Sequence, residues 1–556
     1  MTITAAHCLV ATLRHHQVDR VFCVPGESYL AVLDALYDCP DIHLVSCRHE
    51  SGAGFMAVAD AKITGRAGTV FVSRGPGASN TTIAVHTAQQ DAVPLVLFVG
   101  QVQRKERGQG AFQEVDYEQT FADMAKWVVE VHDPDRLPET IARAYYMAQS
   151  GTPGPVVVSL PEDMLAASTV ADAVQPLPLH VAAPSDEQVA EVAKRLAAAE
   201  QPLLIAGGCV RRQTTRQALT ACVEAWDLPV AVSFKHQDVF TNDHPNFAGH
   251  LGYGIPKHVV NTLAEADLIL AVGTRLTGVT NQGYRLPKAP APEQPLIHVY
   301  PDPDQIGRVF ETAIALTCDA ETFLRALAAH KVAASPGRTA WRQQLHQVYV
   351  ELAQWQPVDA RDGVDFGHIS AALAQTLRQD AVITTDAGNF SGWLHRYFPF
   401  RSTHLLLGAV SGAMGFGVPA AVAAALRSPD RQVIGLIGDG GFLMTGNELA
   451  TAMQYKAKVR LLICNNRSYG TIRLHQELTY PGRVVGTDLA SPDFAMLAQA
   501  FGAIGLTINA PNDTLPVVRE ALATKGPVVV DVHASLDHIS AYTTLQKLAR
   551  RRAGAH

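Results

Sequence analysis

The chain has 556 residues, 47% of them hydrophobic and 17% charged, with a formal net charge of -7. That length exceeds what one hydrophobic core sustains, and the composition is that of a well-buried protein, which excludes a single-domain fold and extensive disorder. The acidic balance leaves no basic footprint for nucleic acid or an anionic membrane, so small molecules and other copies of the chain are the expected partners.

The N-terminal stretch MTITAAHCLVATLRHHQVDRVF has no basic start, apolar run or small-residue cleavage site of a secretion signal. Cys8, Cys23, Cys39, Cys47, Cys209, Cys222, Cys318 and Cys464 form no C-x-x-C pair. They read as buried free thiols of a reducing compartment, and a soluble cytoplasmic protein is expected. IHLVSC, TVFVS and PLVLFVG then read as buried strands, with helices near 51–64 and 79–90 between them. A Pro-rich stretch over 161–188 closes this first block. The middle block offers PLLIAGG, PVAVS, DLILAVG and PLIHVY as strands. A looser connector over 333–367 follows, with one predicted helix over 339–355. The third block offers AVITTD, QVIGLIGD, VRLLICN and PVVVDV. Between its strands, 405–426 is apolar enough to suggest a membrane span. Its Gly408, Gly412, Gly415, Gly417 and Pro419 instead predict a buried loop leading into a helix.

Strands that are apolar throughout fit parallel sheets covered on both faces. The expected architecture is α/β, with three doubly wound parallel-sheet domains over about 1–165, 185–335 and 360–545.

The chemistry concentrates in the third block. QVIGLIGD predicts a strand ending on Asp439, with Gly438, Gly440 and Gly441 forming a glycine turn. Thr445-Gly446-Asn447-Glu448 has capping-box spacing for a helix running towards Tyr455. VRLLICN predicts the next strand, ending on Asn465 and Asn466. A parallel crossover puts Asp439 and Asn466 together at the carboxyl ends of neighbouring strands, where open sheets bind ligands. A carboxylate and an amide oxygen are hard ligands suited to Mg²⁺, with phosphate oxygens and water completing its octahedron. The glycines allow close approach of the backbone to phosphate. Singly, each motif is what an ordinary turn contains.

Together they resemble the GDG…NN signature of the thiamine diphosphate-dependent enzymes. The whole chain, from Val24-Pro25-Gly26 onward, is similar to the acetolactate synthase (acetohydroxyacid synthase) branch. RHESGAGFMAVADA, RGPGASN, GQVQ, AFQEV and AKW carry the likeness in the first block, and SGAMGFGVPAA and GDGGFLMTGNELATAMQ in the third. The resemblance implies pyrimidine-binding, central and diphosphate-binding domains in that order. It implies metal ligation by Asp439, Asn466 and the carbonyl of Ser468. Glu50 would hydrogen-bond N1′ of the cofactor's aminopyrimidine and favour the tautomer whose N4′ takes the proton from C2. The Gly412 carbonyl would accept from N4′, and Met414 would hold the cofactor bent. Gly438, Gly440, Gly441 and Tyr469 complete the cofactor seat, while Phe112 and Gln113 match the active-site loop. It also implies that one cofactor is gripped by two subunits, making a homodimer the minimum and a homotetramer the expected assembly.

Three departures bear on substrate. A Trp of the synthases is replaced by His475, counted here with Glu50 and Gln113 as catalytic, and N-x-S-Y-G is similar to benzoylformate decarboxylases and benzaldehyde lyases. The His-His pair of pyruvate decarboxylases is absent from AFQE, and Arg74 stands where the synthases have a small residue. The central block carries Thr274-Arg275-Leu276-Thr277-Gly278 in place of the synthases' FAD-binding run, so FAD is not expected. Two reactions stay open: decarboxylation of a 2-oxo acid with carboligation to a second carbonyl, or lyase or decarboxylase action on another 2-oxo acid or 2-hydroxy ketone, with 2-oxo acids or aldehydes as substrates.

Overall fold

The computed structural model describes residues 3–330 and 335–553. Ala333 and Ala334, where the second connector is expected to begin, lie outside them. Three six-stranded sheets organise the chain, and every pairing within each sheet is parallel. The first contains β1 (Arg20–Cys23), β2 (His43–Ser46), β3 (Gly68–Val72), β4 (Leu95–Gln101), β5 (Trp127–Glu130) and β6 (Pro155–Pro161). The central one contains β7 (Pro202–Ala206), β8 (Val230–Val232), β9 (Phe247–His250), β10 (Leu268–Val272), β11 (Leu296–Tyr300) and β12 (Ile314–Thr317). The third contains β13 (Val382–Thr385), β14 (Leu405–Gly408), β15 (Val433–Gly438), β16 (Val459–Asn465), β17 (Ile504–Ile508) and β18 (Val528–His533).

The first and third sheets share one topology, β2-β1-β3-β4-β6-β5 and β14-β13-β15-β16-β18-β17. The central sheet runs β9-β8-β7-β10-β11-β12. The three doubly wound parallel sheets expected from the apolar strand runs are therefore present. The interior strands β4 and β16 are buried along their whole length, as an apolar run covered on both faces must be.

The helices that place the site are α1 (Glu50–Thr64), α2 (Pro76–Asp91), α3 (Pro336–Ala353), α4 (Ser391–Tyr397), α5 (Gly417–Arg427), α6 (Asp439–Thr445) and α7 (Gly470–Thr479). The connector helix α3 docks on the central sheet, where its Trp341 indole donates to Pro202 O at 3.0 Å. The suspected span resolves into β14, an irregular loop over 409–416 and α5. No helix among the described residues is long and apolar enough to cross a membrane.

α1 explains how the first and third blocks join. It is buried on nearly all sides: it packs along α5, while a Cβ on Gly52 would strike Glu448 and one on Gly54 would strike Ala84 of α2. One hydrophobic cluster runs from Phe55 and Val72 through to Phe416, Val418 and Ile463, so these blocks share a core. Phe55 meets Phe416 edge-on with ring centroids 5.6 Å apart.

Candidate functional site

In the third sheet the strand order reverses between β13 and β15, the position where open parallel sheets leave a crevice outside their carboxyl ends. A cavity of about 210 Å³ lies there. Its walls come from the segments after β13 (Ala387 to Phe390), β15 (Gly438 to Gly441) and β16 (Asn466, Ser468 to Ile472), with Gly412 and Met414 from the 409–416 loop. The structure thus brings nine of the expected residues together: Gly412, Met414, Gly438, Asp439, Gly440, Gly441, Asn466, Ser468 and Tyr469.

β15 and β16 pair in register, Gly438 opposite Cys464, which sets Asp439 level with Asn465 and puts Asn466 one residue beyond, both at the strand ends. Asp439 is 2% exposed. Its carboxylate accepts from Ser491 Oγ at 2.9 Å and from Gly440 N at 2.9 Å, both neutral donors. Burial raises its pKa, and those donors only partly oppose the rise. The two asparagines divide their work. Asn465 donates to Asp531 Oδ1 at 3.0 Å and ties β16 to β18, while Asn466 turns to the cavity and accepts from Ser468 N at 3.1 Å. Arg467 between them adopts φ +55°, the left-handed bend that turns the chain out of the strand.

Two details differ from the expected local structure. Gly440 and Gly441 are not in a turn; they lie in α6, which begins on Asp439 itself. Their lack of a side chain answers to packing: a Cβ on Gly440 would sit 2.5 Å from Tyr469 Cε1, and one on Gly441 would strike the Asp386 carboxylate. Nor does Thr445 cap a helix with Glu448. Thr445 Oγ1 donates to Gly415 O at 2.7 Å, and the chain passes through a 3-10 turn. Glu448, fully buried, instead crosses to the first block and accepts from Arg48 N and His49 N, each at 3.0 Å. Capping-box spacing says nothing of a longer-range partner, and the backbone ahead of α1 offers two N–H donors to one carboxylate oxygen.

Asp386 ends the strand AVITTD, and no motif around it marks it in the sequence. It is fully buried at the end of β13, and burial raises its carboxyl to about 6 despite donors at Gly415 N and Ala387 N, each 2.9 Å away. It pins the 409–416 loop to the strand end.

The remaining expected residues lie elsewhere. Glu50 opens α1, the position suited to complementing the helix dipole, and its Oε2 accepts from Asn80 Nδ2 at 2.9 Å. It does not line the cavity of its own chain. Gln113 adopts φ +65° and packs its carbonyl against Gly75, beside a Phe112 that is 75% exposed. His475 is exposed on α7, one turn beyond the cavity-lining Ile472. Arg74 is buried and paired with Glu27 at 2.6 Å and Glu162 at 3.2 Å, so its charge is answered by protein acids.

Among the described residues no three His, Cys, Asp or Glu side chains cluster as a metal cage. A divalent ion at the strand ends would therefore have one charged ligand, Asp439, with amide and carbonyl oxygens beside it. A buried carboxylate whose partners are all neutral fits a cation, and that donor set fits Mg²⁺ shared with a phosphate group.

Comparison with known proteins places the chain among relatives over nearly its full length. The thiamine pyrophosphate enzyme family matches in three segments: its N-terminal TPP binding domain over residues 3–120, its central domain over 189–327 and its C-terminal TPP binding domain over 386–532. Acetolactate synthase isozyme 2 large subunit of Escherichia coli is 31% identical, covering 97% of this chain and 96% of the relative. An acetolactate synthase of Mycobacterium bovis is 31% identical, covering 96% and 88%. Among solved structures, a thiamine diphosphate-dependent 4-hydroxybenzoylformate decarboxylase of Rhodococcus jostii superposes with a TM-score of 0.83 at 28% identity, covering 96% of this chain and all of the other.

Proposed function

Given that this chain belongs to the thiamine diphosphate-dependent enzymes, in their acetolactate synthase-like branch, we propose that it decarboxylates a 2-oxo acid and joins the remaining acyl unit to a second carbonyl. The observation that carries the proposal is the cavity at the β13–β15 reversal, where Asp439, Asn466, Ser468, Gly412 and Met414 converge, in a chain similar to acetolactate synthases end to end.

When bound, thiamine diphosphate supplies a thiazolium ring that accepts the electron pair released as CO₂ leaves. The chain's own residues seat and orient it. The Asp439 and Asn466 side-chain oxygens and the Ser468 carbonyl would hold Mg²⁺ beside the diphosphate. The Gly412 carbonyl would accept from the aminopyrimidine amine, and Met414 would pack against the cofactor. Glu50 of the partner subunit would hold a proton at N1′ and so strengthen the pyrimidine amine as a base. The absence of Glu50 from its own chain's cavity supports this arrangement, and with it a homodimer as the smallest working unit. Phe112 and Gln113 of the first block and His475 on α7, which do not line the cavity of their own chain, would border the substrate side in the assembled dimer.

A second reading, simple decarboxylation or lyase action, is favoured by the Ser468-Tyr469-Gly470 run, by His475 and by the similarity to the Rhodococcus decarboxylase. Incubation of the enzyme with thiamine diphosphate, Mg²⁺ and a panel of 2-oxo acids separates the two. Acetoin after acid treatment of a pyruvate reaction supports carboligation; aldehyde release without ligation supports the second reading. Glu50→Gln is expected to abolish turnover while thiamine diphosphate still binds, and unchanged turnover would overturn the assignment of Glu50.

A further inference from the structure

The 409–416 loop carries Gly412 and Met414, yet it has neither helix nor strand to hold it. Its own backbone contributes a bond from Gly412 N to Ala409 O at 3.2 Å. Ser411 Oγ also accepts from Ala413 N at 3.4 Å; the remaining support comes from outside, from Asp386 and Thr445 at Gly415 and from two side chains of the first block. Lys62 lies in the last turn of α1 and Asp91 ends α2. Their side chains are 4% and 1% exposed and touch each other. Lys62 Nζ also donates to Gly408 O at 2.7 Å, just before the loop, and stands 5.3 Å from the centre of the Phe416 ring at its far end. Asp91 Oδ1 accepts from Ser411 N at 3.0 Å, one residue ahead of Gly412. Thr87 Oγ1 lies 3.2 Å from Ser411 Oγ on the same side.

From this geometry we propose that Lys62 and Asp91 form a positioning pair, which sets the Gly412 carbonyl and the Met414 side chain at the cofactor. The pair holds the chain at Gly408 and Ser411, ahead of the segment that carries those two groups, and at Phe416 beyond it. A buried ion pair is a poor stabiliser compared with apolar side chains of the same volume, because both ions lose their hydration. Burial pulls the Lys62 ammonium's pKa down even with Asp91 beside it. What the pair offers that an apolar pair cannot is a donor and an acceptor aimed at loop backbone. The first block then serves catalysis twice, with Glu50 at the start of α1 and with Lys62 at its end. This rests on the reading of Gly412 and Met414 as cofactor contacts.

The test compares purified variants by thermal midpoint, by calorimetric affinity for thiamine diphosphate with Mg²⁺, and by the rate of hydrogen–deuterium exchange at C2 of the bound cofactor. In Lys62→Met/Asp91→Leu both charges go, so no orphaned ion remains and the fold is expected to persist. C2 exchange is expected to slow by about tenfold or more, as a small misplacement of reacting groups does. Asp91→Glu keeps a carboxylate opposite Lys62 but displaces the acceptor for Ser411 N by one methylene, and is expected to slow exchange several-fold, which covers the case of a double variant that does not fold. Arg427→Met removes a different ion pair between the same two blocks and is expected to lower the midpoint with exchange unchanged. Wild-type exchange in both Lys62/Asp91 variants, with Met414→Ala slowed, would overturn the positioning role alone. Wild-type exchange in Met414→Ala as well would overturn the cofactor contacts and the positioning role together.

Discussion

Replacing Glu448 with alanine removes an acceptor that joins the end of the diphosphate segment to the start of α1. Its Oε1 takes Arg48 N and His49 N, both at 3.0 Å, and its Oε2 takes Thr451 Oγ1 at 2.5 Å. Each partly buried N–H left without a partner costs about 1–3 kcal/mol, so the two together cost about 2–6 kcal/mol. Water entering the space left by the side chain brings the cost towards the lower end of that range. Glu448→Gln keeps a carbonyl oxygen at the same place. It loses charge assistance but also relieves a carboxylate whose pKa burial raises, so a cost of about 1 kcal/mol or less is expected. Equilibrium urea denaturation at one protein concentration without cofactor reads both values. The backbone held by Glu448 directly precedes Glu50, so the alanine variant is also expected to lose turnover beyond its loss of stability. A cost below about 1 kcal/mol for alanine, or a glutamine variant as unstable as the alanine one, would refute the reasoning.

Asp439→Asn is expected to move stability and function in opposite directions. It removes a buried carboxylate with neutral partners, so the cofactor-free midpoint rises at neutral pH, while Mg²⁺-dependent binding of thiamine diphosphate is lost in calorimetry. Gly440→Ala gains helix propensity of about 1 kcal/mol and pays about 1–3 kcal/mol for the clash with Tyr469. Near-native stability with weaker cofactor affinity is expected, and unchanged affinity would mean that Tyr469 does not shape the seat. Arg427 holds Asp19 through hydrogen bonds of 2.7 and 2.9 Å. Burial alone would raise the Asp19 carboxyl, but the bonds from Arg427 and Arg66 hold it well below its ordinary 3.8. That stabilisation is present above the ordinary carboxylate pKa and is lost as pH falls below it. Thermal midpoints of wild type and Arg427→Met should therefore differ most near neutrality and converge below about pH 4; a constant gap would show that the charge pairing is not responsible.

Much of this protein could be read from its residues alone. The uniformly apolar strand runs predicted three parallel sheets, because a strand covered on both faces has no polar side to show. The suspected membrane span was recognisable as loop and helix from its glycines. Asp439 and Asn466 were identifiable because a crossover between neighbouring parallel strands must return both to one edge. Local pattern misled where the deciding partner was distant. Thr445-Gly446-Asn447-Glu448 has the spacing of a cap, yet Thr445 bonds Gly415 and Glu448 bonds the backbone before Glu50. Gly440 and Gly441 looked like turn residues, and only the approach of Tyr469 and Asp386 shows why they are bare. Lys62 and Asp91 gave no signal, since an ordinary Lys at a helix end and an ordinary Asp at another become a clamp only when two blocks pack α1 against α5. The sequence alone determined which residues form the strands and which strand ends carry the chemistry, since period and polarity are local properties. Which side chains reach across between blocks was decided by the tertiary structure, because burial removes water as a partner and leaves distant backbone groups within reach of a charge.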